Sequence, residues 1–270
     1  MPDIKVDDGC IIHVEVEGPD SAPVLMLSNS IGTNLHIWDD QVAPWTKHFR
    51  LVRYDRRGHS KSSVPKGAYT MERLGRDVVG VLDALNIAKI NWCGLSMGGM
   101  VGQWLGANAA NRIDKLILSN TSAYFPDPTV WDARIKMVRD VGLAGIVDAN
   151  MERWFTKGFR EHASQTMAKM REMFVATNVE GYIGCGEAIR DMDHRPLLPR
   201  ITTPTLVVIG DRDERSDADE LAALLPAGRF ARVPGGHGSA FAAPELAAVI
   251  KAFLAGPADQ PGTPPPPAHS

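Results

Sequence analysis

The stretch Lys89-Ile90-Asn91-Trp92-Cys93-Gly94-Leu95-Ser96-Met97-Gly98-Gly99 decides how this chain is to be read. Its first five residues are an apolar, strand-like run. Residues 100–110 after it are rich in helix formers, with Val101, Leu105 and Ala109 at helical spacing. Between them a serine stands in the pattern G-x-S-x-G. At a strand-to-helix junction this pattern makes a nucleophile elbow, a turn so tight that side chains at the flanking positions would clash, with the serine hydroxyl projecting above the sheet. Short glycine-serine patterns recur by chance, so the strand before and the helix after carry the assignment of Ser96 as a nucleophile.

Composition bounds the rest. With 270 residues, 44% hydrophobic and 23% charged, the chain can bury a full core as one globular domain with room for an insertion. A formal net charge of −3 and the lack of any block of like charges offer no basic face, so neither nucleic acid nor membrane is an expected partner. Residues 1–8 have no positive segment leading into an apolar core, and no run reaches membrane-spanning length, which predicts a cytoplasmic protein. Cys10, Cys93 and Cys185 are odd in number and lack metal-ligand spacing, and Cys93 falls in the apolar strand, where it reads as a small hydrophobe. Neither disulfides nor zinc are suggested.

Strand-like and helix-like segments alternate before the elbow, at residues 11–16, 24–27, 38–47 (helical), 49–54 and 70–85 (helical), the rhythm of a mostly parallel sheet flanked by helices. Strands at 115–119, 205–209 and 229–233 and helices at 218–225 and 244–254 follow. From about Ala123 to Pro199 the pattern turns helical and rich in methionine and aromatics, with Trp131, Ile135 and Val138 on one helical face and Met151, Trp154, Phe155 and Phe159 further on. The expected organisation is a core built from 1–122 and 200–255, a helical cap at 123–199, and a Pro-rich tail at 256–270 that cannot bury apolar surface and is expected to be disordered. Most of the cap aromatics and methionines should form the cap's own core, and a minority should face a pocket.

A serine hydroxyl is a poor nucleophile at neutral pH. It needs a base, and the base needs an acid that fixes its tautomer and stabilises its charge. His237, in Val233-Pro234-Gly235-Gly236-His237-Gly238, follows the last strand on a glycine-rich loop and suits the base. The other histidines suit it less: His13 lies in an early strand, His36, His48 and His59 precede the serine, His162 and His194 fall in the cap, and His269 is in the tail. The acid is expected in the loop after a late strand, where Val207-Val208-Ile209-Gly210-Asp211-Arg212-Asp213 supplies two aspartates.

Arg53-Tyr54-Asp55-Arg56-Arg57-Gly58-His59-Ser60 resembles the D-x-R-G-x-G-x-S turn of α/β-hydrolases, with His59 in place of one glycine. More narrowly, Leu27-Ser28-Asn29-Ser30-Ile31-Gly32-Thr33 followed by Trp38, the elbow, and Leu118-Ser119-Asn120-Thr121 resemble 3-oxoadipate enol-lactonases. So do Arg153-Trp154-Phe155-Thr156, Gly181-Tyr182 and Cys185-Gly186-Glu187-Ala188-Ile189, and the resemblance runs to about Ala255. It implies the α/β-hydrolase fold, a mostly parallel eight-stranded sheet flanked by helices with an inserted helical cap. It also implies a loop of the form G-x-x-D, which favours Asp213 over Asp211 as the acid. Asn120, at the other position used for the acid, cannot carry the charge. The implied oxyanion hole is the N–H of Met97 and that of Ile31, in a loop where Asn29-Ser30 replaces a frequent His-Gly. Two departures stand out. The segment Asp213-Glu214-Arg215-Ser216-Asp217 lacks the usual Thr-Pro stretch and is shorter, and Gly238-Ser239-Ala240-Phe241 replaces a hydrophobic residue followed by Ser-Asn and an acid.

The resemblance implies hydrolysis of a small enol-lactone bearing a carboxylate, the ring opening that yields 3-oxoadipate in bacterial degradation of aromatic acids, with no cofactor or metal. An esterase or lactonase for neutral small esters would use the same chemistry, and a non-catalytic ligand receptor on this fold is a third reading. A substrate carboxylate requires a cation, because a pocket of methionine and tryptophan alone would reject it on desolvation grounds. Arg134, one helical turn from Trp131, is the expected anchor unless it is simply a solvated helix arginine, with Trp131 and Trp154 as aromatic walls.

Overall fold

The structure, a computed structural model, describes residues 3–213, 218–238 and 244–256. In chain order its elements are β1 (Asp3–Lys5), β2 (Ile11–Glu17), β3 (Val24–Ser28), α1 (Asp39–Trp45), β4 (Arg50–Tyr54), α2 (Met71–Ala84), β5 (Ile90–Leu95), α3 (Met97–Asn108) and β6 (Ile113–Ser119). Five helices follow before the next strand: α4 (Thr129–Val141), α5 (Val147–Trp154), α6 (Lys157–His162), α7 (Ser164–Ala176) and α8 (Val179–Arg190). The chain then returns as β7 (Thr205–Gly210), α9 (Ala218–Ala223), β8 (Gly228–Val233) and α10 (Pro244–Ala255). The eight strands form one sheet in the order β1-β2-β4-β3-β5-β6-β7-β8. Among the described strands the β1–β2 and β2–β4 pairs are antiparallel and the other pairs are parallel. β1 escapes the sequence pattern because three residues are too few to show a period.

Side chains on the central strands alternate between two buried layers, as the two-residue period requires. Met26, Trp92, Leu116, Leu118 and Val207 pack with residues of α2, α3 and α9, whereas Leu25, Leu27, Cys93, Ile117 and Val208 pack with Trp45 of α1 and Leu246, Ile250 and Phe253 of α10. Cys93 is fully buried, and that burial pushes its thiol up to about 12.

The strand order reverses at β3. From it the chain goes to β4 on one side, then crosses back through α2 to β5 on the other and on to β6, so the loops leaving β3 and β5 splay apart over the carboxyl edge of the sheet. A crevice opens at such a switch point. The loop after β3 carries Ile31, and β5 ends at Ser96. Helix α3 starts at Met97, three residues earlier than the sequence pattern suggested, which makes Ser96 its N-cap.

The turn after β4 corrects one alignment. The left-handed positions are Gly58 (φ 78°) and Ser60 (φ 48°), not His59, so with Asp55 as the first residue of the motif the second glycine falls at Ser60 and the final serine at Ser62. Each matched side chain then has a structural bond. Asp55 accepts from the Leu35 N–H (2.9 Å), Arg57 pairs with Asp77 of α2 (2.5 and 2.6 Å), and Ser62 Oγ donates to the Asp55 carbonyl (2.5 Å). The expected tail lies outside the described residues except for Gly256, as do 214–217 and 239–241, where the sequence departs from the enol-lactonase pattern.

Candidate active site

Ser96 alone connects β5 to α3. Its backbone is left-handed, with φ 51° and ψ −115°, a conformation a side-chain-bearing residue holds only when its surroundings enforce it. They do so here. The Ser96 N–H donates to the Ser119 carbonyl (2.8 Å), and the Ser96 carbonyl accepts from Thr121 Oγ1 (2.7 Å). A Cβ on Gly94 would collide with the Gly98 carbonyl, and one on Gly98 with the Ser28 carbonyl, so both glycines are required by close approach.

The N–H of Met97, at the first position of α3, is one of the amides a helix leaves without an internal acceptor. Neither it nor the Ile31 N–H has an acceptor among the described residues. The peptides on both sides of Ile31 are nonetheless fixed. Thr33 Oγ1 donates to the Ser30 carbonyl (2.8 Å), and the Gly32 N–H donates to His59 Nε2 (3.0 Å). Upstream, Asn29 Nδ2 donates to the Thr33 carbonyl (2.6 Å), and the buried Arg56 guanidinium donates to the Asn29 carbonyl. Because His59 Nε2 accepts, its proton sits on Nδ1, facing the Arg57 carbonyl at 3.4 Å. Burial, reinforced by the Arg56 charge, pushes its pKa down to about 3 and keeps the ring neutral.

At the other end of the crevice, His237 Nδ1 lies 2.7 Å from Asp213 Oδ2, whose side chain is wholly buried. The same oxygen accepts from Asn120 Nδ2 (2.9 Å), and Asn120 Oδ1 accepts from Ser119 Oγ (2.9 Å). Asn120, set aside in the sequence as unable to be an acid, thus holds the carboxylate that faces the histidine. Asp211 points elsewhere: its Oδ1 accepts from the Gly235 N–H (2.9 Å) and ties the loop after β7 to the histidine loop. The insert grips that loop as well, since the Gly238 N–H donates to the Trp154 carbonyl (2.7 Å) and the Trp154 and His237 rings lie 6.4 Å apart.

Ser96, His237 and Ile31 share the wall of one cavity of about 310 Å³ with Trp131, Arg134 and Trp154. Thus core and insert residues singled out from distant parts of the sequence meet there. Met100, Phe125 and Ile189 add apolar surface. Trp131 and Trp154 are themselves 8% and 3% exposed, so each wall is backed by packing. Arg134 is not a solvated helix arginine: its Nε donates to Tyr182 Oη (2.6 Å), its Nη2 donates to Asn150 Oδ1, and its guanidinium lies 5.7 Å from the Trp131 ring and 5.6 Å from that of Tyr182. A second cation, Arg153, lines the same cavity. Sequence reasoning gave it no role, although its place beside Trp154 mirrors that of Arg134 near Trp131. Among the described residues no cluster of three His, Cys, Asp or Glu side chains is placed to hold a metal, and no helix is long and apolar enough to cross a membrane.

Known proteins resemble this chain in sequence and fold. Residues 23–244 fit the model of a family described by the alpha/beta hydrolase fold. The chain is 40% identical over 196 residues to 3-oxoadipate enol-lactonase 2 of Acinetobacter baylyi, covering 73% of each chain. It is 34% identical over 240 residues to 3-oxoadipate enol-lactonase 1 of that organism, covering 88% of this chain and 90% of the relative. The crystal structure of the enol-lactonase from Burkholderia xenovorans superposes with a TM-score of 0.88 at 40% identity, over 92% of this chain and 98% of that one. With the switch-point crevice, the elbow serine and the sequence match all agreeing, the chain belongs to the alpha/beta hydrolase fold family.

Proposed function

We propose that this protein is a serine hydrolase that opens a small enol-lactone bearing a free carboxylate, 3-oxoadipate enol-lactone being the substrate that fits best, and yields 3-oxoadipate in the degradation of aromatic acids. Ser96 Oγ attacks the lactone carbonyl while His237 takes its proton and Asp213 steadies the imidazolium through Nδ1. The N–H groups of Met97 and Ile31 receive the oxyanion. Collapse of the tetrahedral intermediate breaks the ring C–O bond. The leaving enolate oxygen takes the proton from His237 and stays tethered in the acyl-enzyme. His237 then draws a proton from water, which attacks the acyl carbon; the bond from that carbon to Ser96 Oγ breaks as Oγ takes the proton back from His237, and the free enol becomes the ketone.

The observation that carries this reading is the placing of the Ser96 hydroxyl, the Asp213-backed His237 and the Arg134 guanidinium on one cavity whose remaining walls are largely apolar. The first two suit acyl transfer, and the guanidinium suits a carboxylated substrate. The test is a side-by-side assay of 3-oxoadipate enol-lactone and a neutral aryl acetate. The enol-lactone should be preferred in kcat/KM, Ser96→Ala should abolish both activities, and Arg134→Ala should depress lactone turnover far more than acetate turnover. A wild-type enzyme that prefers the neutral ester would move the assignment to a general esterase, and one that turns over neither would leave a ligand receptor.

A further inference from the structure

We infer that Arg56, buried behind the loop after β3, is a positioning residue for acyl transfer whose uncancelled charge steadies the oxyanion through the Asn29–Ile31 backbone. The inference rests on the oxyanion site proposed above. Three arginines stand close together around the end of β4, Arg53, Arg56 and Arg57, and all are 2–3% exposed. Two of them are neutralised where they lie: Arg53 pairs with Glu15, Glu17 and Asp39, and Arg57 with Asp8 and Asp77. Arg56 differs. Its Nη2 donates to the Asn29 carbonyl, its Nε and Nη1 are buried without an acceptor, and among the described residues no carboxylate lies within ion-pair distance of it.

A buried cation with no counter-charge is costly, and an apolar side chain of similar length would serve stability better. What the guanidinium supplies instead is a fixed positive field, and the β3 loop lies in it. The ring of His59, which accepts from the Gly32 N–H, is held neutral in part by the Arg56 charge. The carbonyl that Arg56 grips belongs to the Asn29–Ser30 peptide. The next peptide, Ser30–Ile31, carries the N–H proposed as an oxyanion donor, and Ile31 lines the Ser96 cavity. One hydrogen bond, two adjoining peptides and a second hydrogen bond thus separate the guanidinium from the oxyanion site, roughly 10 Å in all. At that range, with an effective dielectric of about 20, a unit charge still changes the rate of a step that builds a full negative charge by about tenfold. A neutral ester carbonyl gains far less, so the field favours the transition state over bound substrate.

The test compares Arg56→Gln, which keeps a donor for the Asn29 carbonyl and drops the charge, with Arg56→Met, which drops both. Two measurements are made on each, steady-state hydrolysis of an aryl acetate and its inhibition by phenylboronic acid. With that inhibitor Ser96 Oγ adds to boron, its proton passes to His237, and boron becomes a tetrahedral anion. If the charge acts, both variants lose about tenfold in kcat and about tenfold in boronate affinity, with KM unchanged. If the hydrogen bond alone matters, the glutamine variant matches wild type and only the methionine variant suffers, which overturns the inference. Should one variant not fold, the other decides alone: a loss confined to kcat and boronate affinity supports the charge, while an unchanged kcat, or a loss carried by KM, overturns it. Failure of the two readings is distinguishable. An active wild type whose glutamine variant is equally fast removes the role of Arg56 and keeps the serine hydrolase, whereas a wild type that neither turns over the ester nor binds the boronate removes both.

Discussion

Replacing His59 tests whether the loop proposed to carry an oxyanion donor is held from behind. His59 touches no part of the cavity, yet its Nε2 is the acceptor for the Gly32 N–H at 3.0 Å, one peptide beyond Ile31. His59→Leu leaves that N–H buried without a partner, a defect of about 1–3 kcal/mol. The loop relieves the defect by rotating the Ile31–Gly32 peptide, and the strain passes through the Ile31 Cα to the adjoining Ser30–Ile31 peptide, whose N–H is then drawn from the place proposed for the oxyanion. Loss of one such donor is worth about 2.7–4 kcal/mol, or about 10²–10³ in kcat. Thr33 still restrains the neighbouring peptide through the Ser30 carbonyl, so the expected loss is near the lower end, about 10²-fold in kcat. KM should change little, because the donor acts on charge that exists only in the transition state. His59→Gln, whose amide oxygen reaches the same N–H, should recover most of the rate. The acidic limb of the pH–rate profile should stay in place in both variants, since a ring with its pKa near 3 carries no charge at working pH. The assay is steady-state hydrolysis of an aryl acetate from pH 5 to 9 alongside thermal melts. A leucine variant that melts earlier but keeps its kcat, or a glutamine variant no better than leucine, would refute the buttressing argument.

Two further outcomes follow from the bonds described. Asp213→Asn should cut kcat severely and Asp211→Asn only mildly, because Asp213 and not Asp211 reaches His237, while Asp211 serves a backbone N–H that an asparagine oxygen can also serve; steady-state kinetics of the pair decides it, and the opposite ranking would transfer the role. Stability should decline in mild acid. Burial depresses His59 to about 3 and His194 to about 4, against about 6.5 unfolded, so between pH 6.5 and 4 the unfolded chain binds protons that the folded one refuses. Stability is therefore fully present above pH 6.5 and is lost as pH falls, by about 1.4 kcal/mol per pH unit for each histidine once well below 6.5. Urea unfolding at pH 7, 6 and 5 reads the slope, His194→Gln should halve it, and a flat profile would mean that these rings are not buried neutral.

Much of the fold was legible because its signals are local. The apolar run 90–95, the glycines around Ser96 and the helix formers after Met97 act on their immediate neighbours through sterics and periodicity, so strand, elbow and helix can be read from a dozen residues. The positions of Ser96 and His237 on the cavity were legible for a related reason: each stands on a glycine-marked turn at a strand's carboxyl end. The misplaced glycine of the Asp55 turn shows the limit even there, since only the backbone angle at Ser60 reveals which residue takes the left-handed position.

The sequence by itself thus determined the alternation of the main strands and helices, the elbow and the chemical types of the groups proposed to react. Tertiary structure alone decided which groups meet. Asn120 reaches Asp213 across 93 residues, His59 reaches Gly32 across 27, and Asn150 joins an arginine on another helix, 16 residues away. No local pattern encodes these pairs. A hydrogen bond depends on where two backbones have been carried by the packing of the whole sheet and insert, and a side chain's role at the site is fixed by the partner that packing brings within about 3 Å.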